Sequence, residues 1–194
     1  MGAQMGARCS CIIDCQFNRS PVAISQAAFH LIPDAMPAEQ RLKELGLILP
    51  APLQLPPGVR LPFVPVRIVG KQVLISGHGP LDASGKLAGP FGKVGTDVTP
   101  EQANRAARLT LLAILADLKI ALGSLDRIVA WRKLLGMVNA APGFNALPQV
   151  INGASDLVLD VFGPDIGAHA RSAIGVAELP WHIPVEIEAE VEIN

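Results

Sequence analysis

The clearest pattern in the chain follows Pro184, where apolar and acidic residues alternate one by one from Val185 to Ile193. A period of two predicts a β-strand with one face in a core and the other face outside it. The acidic face carries four glutamates: Glu186, Glu188, Glu190 and Glu192. Like charges in a row are costly when they are buried without partners, so we expect some of these carboxylates to meet water or a cation.

Apolar residues recur at three- and four-residue spacing in two longer segments, which predicts two amphipathic helices. The first begins at Thr99-Pro100-Glu101-Gln102, where the threonine caps the helix, the proline occupies its first position and Gln102 completes a capping box. Its apolar positions continue until Gly123 ends the helix. The second helix is predicted over 147–162 and ends at Gly163-Pro164.

The remaining periodic segments predict strands. Runs rich in β-branched residues over 63–69 and 72–76 flank Gly70-Lys71 and predict two strands joined by a tight turn. The apolar segment 126–138 predicts a strand inside a sheet, and 171–177 predicts one more before the alternating C-terminal segment. We therefore expect an α+β fold in which two main helices cover one face of a mixed sheet, the split βαβ arrangement.

The last two predicted strands, 171–177 and 185–193, are joined by a short link that contains proline. Strands joined in this way can pair as an antiparallel hairpin, and such a hairpin would bring Arg171 close to a glutamate. An arginine and a glutamate in contact can form a structural ion pair or the centre of an active site. Spacing alone leaves both interpretations open.

Length and charge limit the class of protein. At 194 residues the chain fits one domain with a sizeable core, and its formal net charge of -1 provides no field that would attract nucleic acid or an anionic membrane. No apolar run of membrane-spanning length and no signal peptide is visible, so we expect a cytoplasmic protein.

The N-terminal segment lacks periodicity up to Met36. We expect residues 1–35 to be a disordered extension that precedes the natural start at Met36, and residues 36–194 to form the folded domain with a helical arm over 37–47. The three cysteines, Cys9, Cys11 and Cys15, all fall in the extension, and their spacing matches no standard zinc pattern. We expect free thiols and no metal site.

The last two predicted strands resemble the closing signature of the RidA/YjgF family of enamine/imine deaminases, once called L-PSP endoribonucleases. The matching residues are Ala170-Arg171-Ser172-Ala173-Ile174-Gly175-Val176-Ala177-Glu178-Leu179-Pro180, then Val185-Glu186-Ile187-Glu188-Ala189. The segment 74–80 is similar to the family's early strand ending in Ser-Gly, and Asn152 lies where a mid-chain asparagine is expected. The resemblance covers about 37–194, and 138–155 is similar to a divergent bacterial branch described as endoribonuclease-like. It implies a chorismate-mutase-like sandwich assembled as a homotrimer with sites between subunits.

Under this resemblance, Arg171 matches the arginine that clamps the substrate carboxylate, and Glu186 matches the glutamate that orients or deprotonates the hydrolytic water. A guanidinium suits the first role because its planar fork makes two parallel charge-assisted bonds to a carboxylate. The implied reaction is hydrolysis of 2-enamine and 2-imine acids to 2-keto acids and ammonia, without a cofactor or a metal. The implied partners are a small carboxylate substrate and further copies of the chain.

Other positions match the lining of the family's pocket. Ser76 and Gly77 match residues that line it, and Asn152 matches a residue at its border. Phe63 falls where the family often has tyrosine, which keeps an aromatic wall and removes a hydroxyl. Ala173 falls where the family often has cysteine, which leaves a backbone carbonyl as the acceptor there.

These departures, together with Gly175 in place of a frequent glutamate, imply a less polar pocket. A non-catalytic trimer that binds a small carboxylate is therefore an alternative, while an endoribonuclease or a chorismate mutase would need cationic groups that the sequence does not place. His78 and His169 lie beside candidate strands, and each can act as an acid or base near neutral pH or be an ordinary loop histidine.

Overall fold

A computed structural model describes residues 36–55 and 57–194, so the predictions made for residues 1–35 lie outside the described residues. The elements in chain order are α1 (Ala38–Glu44), β1 (Val66–Val69), β2 (Gln72–His78), α2 (Pro100–Leu122), β3 (Ile128–Asn139), α3 (Leu147–Ile166), β4 (Ala170–Val176) and β5 (Val185–Ile193). This order confirms the predicted succession of strands and helices.

The five strands form one mixed sheet in the order β1-β2-β5-β3-β4. Only β3 and β4 are parallel, while the other neighbours pair antiparallel. The parallel pair is joined through α3, which makes a βαβ unit at one edge of the sheet. The predicted α+β fold with a mixed sheet is confirmed.

The predicted hairpin between the last two strands is wrong. β5 lies between β2 and β3, whereas β4 pairs with β3 at the edge, so β3 separates β4 from β5. The reason is burial: all five apolar residues of β5 are buried, and only the interior of the sheet provides that cover. In β4 no residue is fully buried, which suits an edge strand.

The helices pack against one face of the sheet, as predicted, and α2 is the longest of them. Thr99 Oγ1 accepts a hydrogen bond from the Gln102 backbone N–H at 3.2 Å, and the Gln102 side chain accepts one from the Thr99 N–H at 2.9 Å, which completes the predicted capping box. Gly123, at φ 80°, ends the helix. In α3, Gly163 breaks the helical geometry where an end was predicted, and one further turn follows it.

The core lies between the helices and the sheet. Trp131 of β3 is buried there, edge-on to Phe162 of α3 with ring centroids 5.4 Å apart. α2 and α3 approach closely at Gly153, where an added Cβ would lie 2.1 Å from the backbone oxygen of Asn104. In the described part of the chain, no helix is long and apolar enough to cross a membrane.

The opposite face of the sheet carries the glutamates of β5 beside exposed apolar residues of other strands, including Leu74 and Ile174. No helix of the described residues packs on this face. The alternation predicted for β5 is therefore confirmed, with its apolar residues facing the helices and its glutamates on the uncovered face.

Candidate functional site

A bulge in β2 positions the carboxylate of Glu186. From Ile75 to His78, β2 advances three residues while its partner β5 advances from Ala189 to Ile187, so Ser76 and Gly77 form an irregular segment. A Cβ built on Gly77 would lie 1.9 Å from Glu186 Oε1. Only glycine therefore lets this carboxylate rest against the backbone of β2.

The Glu186 side chain faces a cavity of about 380 Å³. Polar side chains reach it from His78, Asp117 and Glu186. The rest of its walls is mainly apolar and is formed by Pro52, Leu53, Leu55, Leu61, Phe63, Pro65, Leu81, Leu87, Pro180, Trp181 and Ile183. Phe63 lies in one wall, as the family resemblance implied. Ser76 supports this wall, because its hydroxyl donates a hydrogen bond to the Val64 carbonyl at 2.9 Å.

The surroundings raise the pKa of Glu186. The main cause is burial, which disfavours the charged carboxylate, and the neighbouring Glu188 adds repulsion of like charge. His78 acts in the opposite direction. A carboxyl group with a raised pKa in a largely apolar cavity is a better proton acceptor than an ordinary surface glutamate.

His78 forms a hydrogen-bonded pair with Asp117 of α2. The His78 Nδ1–H donates to the Ser76 carbonyl at 2.7 Å, and Nε2 lies 3.0 Å from Asp117 Oδ2. Because a carbonyl can only accept, Nδ1 carries the hydrogen in its contact with Ser76, and Nε2 is the ring nitrogen that faces Asp117. The pair lies at the wall of the Glu186 cavity, and its two contacts fix the orientation of the imidazole there.

Arg171 lies on the other face of the sheet. It pairs with Leu134, whereas Glu186 pairs with Met137, and residues three apart along β3 point to opposite faces. The Arg171 guanidinium faces α3 and donates from Nη1 to Asn152 Oδ1 at 2.8 Å and to Ser155 Oγ at 3.0 Å.

Ser155 connects Arg171 to His169. The His169 Nδ1–H donates to the Gly167 carbonyl at 2.7 Å, so its Nε2 can accept from the Ser155 hydroxyl at 3.0 Å. The same hydroxyl accepts the bond from Arg171. Asn152 and Ser155 lie three residues apart on α3, on one side of the helix, and together they fix the orientation of the guanidinium.

The sequence-predicted site residues therefore form two groups within one chain. Phe63, Gly77, His78 and Glu186 line the cavity, with Ser76 behind the wall. Arg171 and Asn152 are in contact on the helix side of the sheet, and Ala173 shares that side with Arg171 because it lies two residues farther along β4. The expected proximity of Arg171 to a glutamate is not found: among the described residues, no carboxylate forms a salt bridge with Arg171.

Asp117, Ser155 and Trp181 were missed by sequence reasoning. Asp117 follows the buried positions Thr110 and Ile114 at helical spacing along α2. A charged residue in such a row is the signal by which the sequence could identify it. Ser155 likewise interrupts the apolar positions of α3. Trp181, next to a proline in the link between β4 and β5, gave no such signal.

The described side chains do not form a metal site. Across residues 36–55 and 57–194, no three His, Cys, Asp or Glu side chains are grouped so that they could hold a metal ion. The polar side chains of the cavity are the carboxyl group of Glu186 and the pair of His78 and Asp117. Such a set can accept, hold and return a proton.

One protein family matches most of this chain. The sequence profile of the family described as "YjgF/chorismate_mutase-like, putative endoribonuclease" matches residues 39–184. Protein TCP17 of Trypanosoma cruzi is 40% identical over 154 residues, which are 79% of this chain and 92% of that protein.

Two crystal structures are similar to the chain in both sequence and fold. The protein Atu1372 of Agrobacterium tumefaciens is 44% identical with a TM-score of 0.72, over 81% of this chain and 92% of that one. An endoribonuclease-like protein of Shewanella oneidensis is 33% identical with a TM-score of 0.73, over 81% of this chain and 100% of that one.

Proposed function

Because this chain belongs to the YjgF/chorismate mutase-like family, we propose that it is a hydrolytic deaminase that converts reactive 2-enamine and 2-imine acids to 2-keto acids and ammonia. The observation that carries the proposal is the placement of Glu186, whose carboxylate rests against Gly77 at the wall of a mainly apolar cavity. Burial raises the pKa of this group, which makes its carboxylate a stronger base.

The chemistry needs a held water and a proton acceptor. The enamine form first takes a proton at carbon and releases one from its nitrogen, which gives the imine. Water then adds to the imine carbon, and Glu186 accepts one proton from that water. Glu186 passes this proton to the nitrogen, which gives the carbinolamine. The hydroxyl proton of the carbinolamine is then transferred to the nitrogen through the same carboxylate, the carbon-nitrogen bond breaks as the carbonyl forms, and ammonia leaves, so one water is consumed for each keto acid released.

The carboxylate of the substrate needs a cation, and we assign that role to Arg171 of a neighbouring copy. Asn152 and Ser155 both bind Nη1, and within the described residues no hydrogen-bond partner contacts Nε or Nη2. A guanidinium held at Nη1 presents its other two nitrogens, Nε and Nη2, as a fork for a carboxylate. Since Arg171 and Glu186 lie on opposite faces of the sheet in one chain, a site that uses both is formed between chains.

Two features of the fold support association, and we propose a homotrimer. The face of the sheet that carries Glu186 has no helix packed on it in the described structure, and it exposes Leu74 and Ile174. β4, which carries Arg171, is an edge strand with one side unpaired within the described chain. Closed symmetric rings are the common way in which such surfaces are covered.

Complementation between inactive variants tests the proposal. Purified protein should accelerate keto acid release from imines generated in situ by an amino acid oxidase, and Arg171→Ala and Glu186→Gln should each abolish the acceleration. Co-expression of the two variants in equal amounts leaves about a quarter of the sites with an intact Arg171 and an intact Glu186, so about a quarter of the activity should return if the sites lie between chains.

Three other outcomes would contradict parts of the proposal. No recovery on mixing would place both residues in one chain's site. A single variant that keeps its activity would remove the role assigned to its residue. Calorimetric binding of 2-keto acids without turnover would favour the non-catalytic carboxylate-binding alternative.

Cleavage of RNA is disfavoured because Glu186, Glu188, Glu190 and Glu192 share the uncovered face and the chain's net charge is -1, which repels a polyanion.

A further inference from the structure

The cavity beside Glu186 is larger and more apolar than the reacting atoms require. An imino acid reacts at its nitrogen, its second carbon and its carboxylate, which are all polar or small. The cavity has a volume of about 380 Å³ and its walls are formed chiefly by leucine, isoleucine, proline and aromatic side chains. Apolar walls of this extent bind an apolar part of a ligand.

Two aromatic side chains form part of these walls while remaining about half exposed. Phe63 is 53% exposed and Trp181 is 48% exposed, although each lines the cavity. Exposed aromatic area beside a pocket is area that a ligand can remove from water, and its burial is favourable.

The backbone at Trp181 is held in an unfavourable conformation. Trp181 has φ 51° and His182 has φ 56°, in the left-handed region that bulky residues seldom adopt. The turn is fixed by hydrogen bonds from the His182 N–H to the Leu179 carbonyl and from the Gly92 N–H to the His182 carbonyl, at 3.2 and 2.7 Å. Backbone strain of this kind is retained where a side chain must point in a particular direction, and here it points to the cavity.

The ionisable side chains that line the cavity are few and mainly acidic. Glu186, Asp117 and His78 are its ionisable groups, and no lysine or arginine is among the described residues that line it. A substrate side chain that ends in a carboxylate or phosphate would therefore meet repulsion without a partner, whereas an uncharged side chain would not.

We propose that the substrates are 2-enamine and 2-imine acids with a large apolar side chain, branched aliphatic or aromatic, which packs on Phe63 and Trp181 while the imine carbon lies beside Glu186. This inference rests on the proposed deaminase function and specifies its substrate class. A methyl side chain would leave the aromatic walls in water, so kcat/KM should rise about 10- to 100-fold from a methyl to an isobutyl or benzyl side chain.

The experiment compares imines generated from alanine, leucine and phenylalanine by an amino acid oxidase, with the free imine quantified by a trapping amine. We expect the leucine- and phenylalanine-derived imines to be hydrolysed with the higher kcat/KM. Trp181→Ala should reduce the phenylalanine-to-alanine ratio about tenfold. Phe91→Ala is the matched control, because Phe91 is an equally exposed aromatic residue that does not line the cavity, and it should leave the ratio unchanged.

The failure of this inference and that of the proposed function are distinguishable. Acceleration that is equal for all three imines, or a ratio that Trp181→Ala and Phe91→Ala change to the same extent, overturns the substrate class and leaves the deaminase activity in place. Acceleration of none of the three overturns the deaminase proposal and, with it, the substrate class. Calorimetric binding of pyruvate as tightly as 4-methyl-2-oxopentanoate by the wild-type protein also overturns the class, independently of turnover.

Discussion

Replacement of Gly77 by alanine should inactivate the site while leaving the fold intact. The added Cβ would lie 1.9 Å from Glu186 Oε1, and ordinary van der Waals contact begins at 3.4 Å, so the oxygen must retreat by the difference, about 1.5 Å. A misplacement of about 1 Å can cost a catalytic group 10²-fold in rate. We therefore expect kcat/KM for imine hydrolysis to fall about 100-fold, which corresponds to about 2.7 kcal/mol of transition-state stabilisation.

Stability should change little in the same variant. The atom that must move is the end of a flexible side chain, and Gly77 has a φ that alanine can adopt. The loss of unfolded-chain entropy on replacing glycine stabilises by about 0.4–1 kcal/mol and offsets part of the crowding. Chemical denaturation followed by circular dichroism should accordingly give an unfolding free energy within about 1 kcal/mol of the wild-type value.

A double-mutant cycle decides whether the effect of Gly77→Ala acts through Glu186. In a Glu186→Gln background the added methyl has no catalytic carboxylate to displace, so Gly77→Ala should have little further effect on the residual rate. Gly79→Ala is the matched control, because its Cβ meets the end of Ile183 at 2.8 Å and does not approach Glu186, and we expect a loss below about threefold. Equal losses in both backgrounds, or a Gly77→Ala enzyme with more than half of the wild-type kcat/KM, would refute the reasoning.

Three further variants, at Glu186, Gly153 and Ser155, each test one feature of the structure. The pKa of Glu186 is raised in the folded protein, so the stabilising contribution of this group is complete below the ordinary glutamate pKa and is lost as the pH rises through the raised value. Glu186→Gln should therefore have a higher Tm than the wild-type protein at pH 7. Calorimetry should show a smaller difference in Tm near pH 4. Gly153→Ala would place a Cβ 2.1 Å from the Asn104 backbone oxygen, and urea denaturation should show a loss of about 1–3 kcal/mol or more; an unchanged midpoint would contradict the close contact of α2 and α3. Ser155→Ala removes one of the two anchors of Arg171 and should raise KM about tenfold with kcat nearly unchanged, whereas a loss in kcat alone would argue against a positioning role.

The features that the sequence predicted correctly are those that depend on near neighbours. The capping box at Thr99 and Gln102 is complete within four residues, and the alternation from Val185 to Ile193 requires only a period of two. The break at Gly163 before Pro164 is also local, because proline lacks the N–H that would continue the helix. Each of these signals remains visible whatever the rest of the chain does.

The order of the strands could not be predicted in the same way. A short link between 171–177 and 185–193 favours a hairpin, but the choice of neighbour depends on where apolar area can be buried. β5 buries five apolar side chains and takes the interior, while the small and exposed residues of β4 suit an edge. The faces occupied by Arg171 and Glu186 follow from that choice, since both faces are set by pairing with β3.

The candidate site was accordingly predicted in part. The family resemblance identifies Glu186 and Gly77, and the position of His78 beside a candidate strand identifies that residue; the structure places all three at one cavity. Asp117 was not identified, because its contact with His78 joins residues 39 positions apart and depends on the packing of α2 against the sheet. Long-range contacts of this kind become visible only once the elements are assembled.

The two tryptophans provide the protein with built-in optical probes. The chain contains no tyrosine, so its near-ultraviolet fluorescence comes from indole alone. Trp131 is packed in the core against Phe162 and should emit at short wavelength, whereas Trp181 is half exposed and should emit at long wavelength. A quencher dissolved in the solvent would therefore reduce the long-wavelength emission of Trp181 first. Unfolding would shift the short-wavelength emission of Trp131. Cavity occupancy and folding can thus be followed separately in one unlabelled sample.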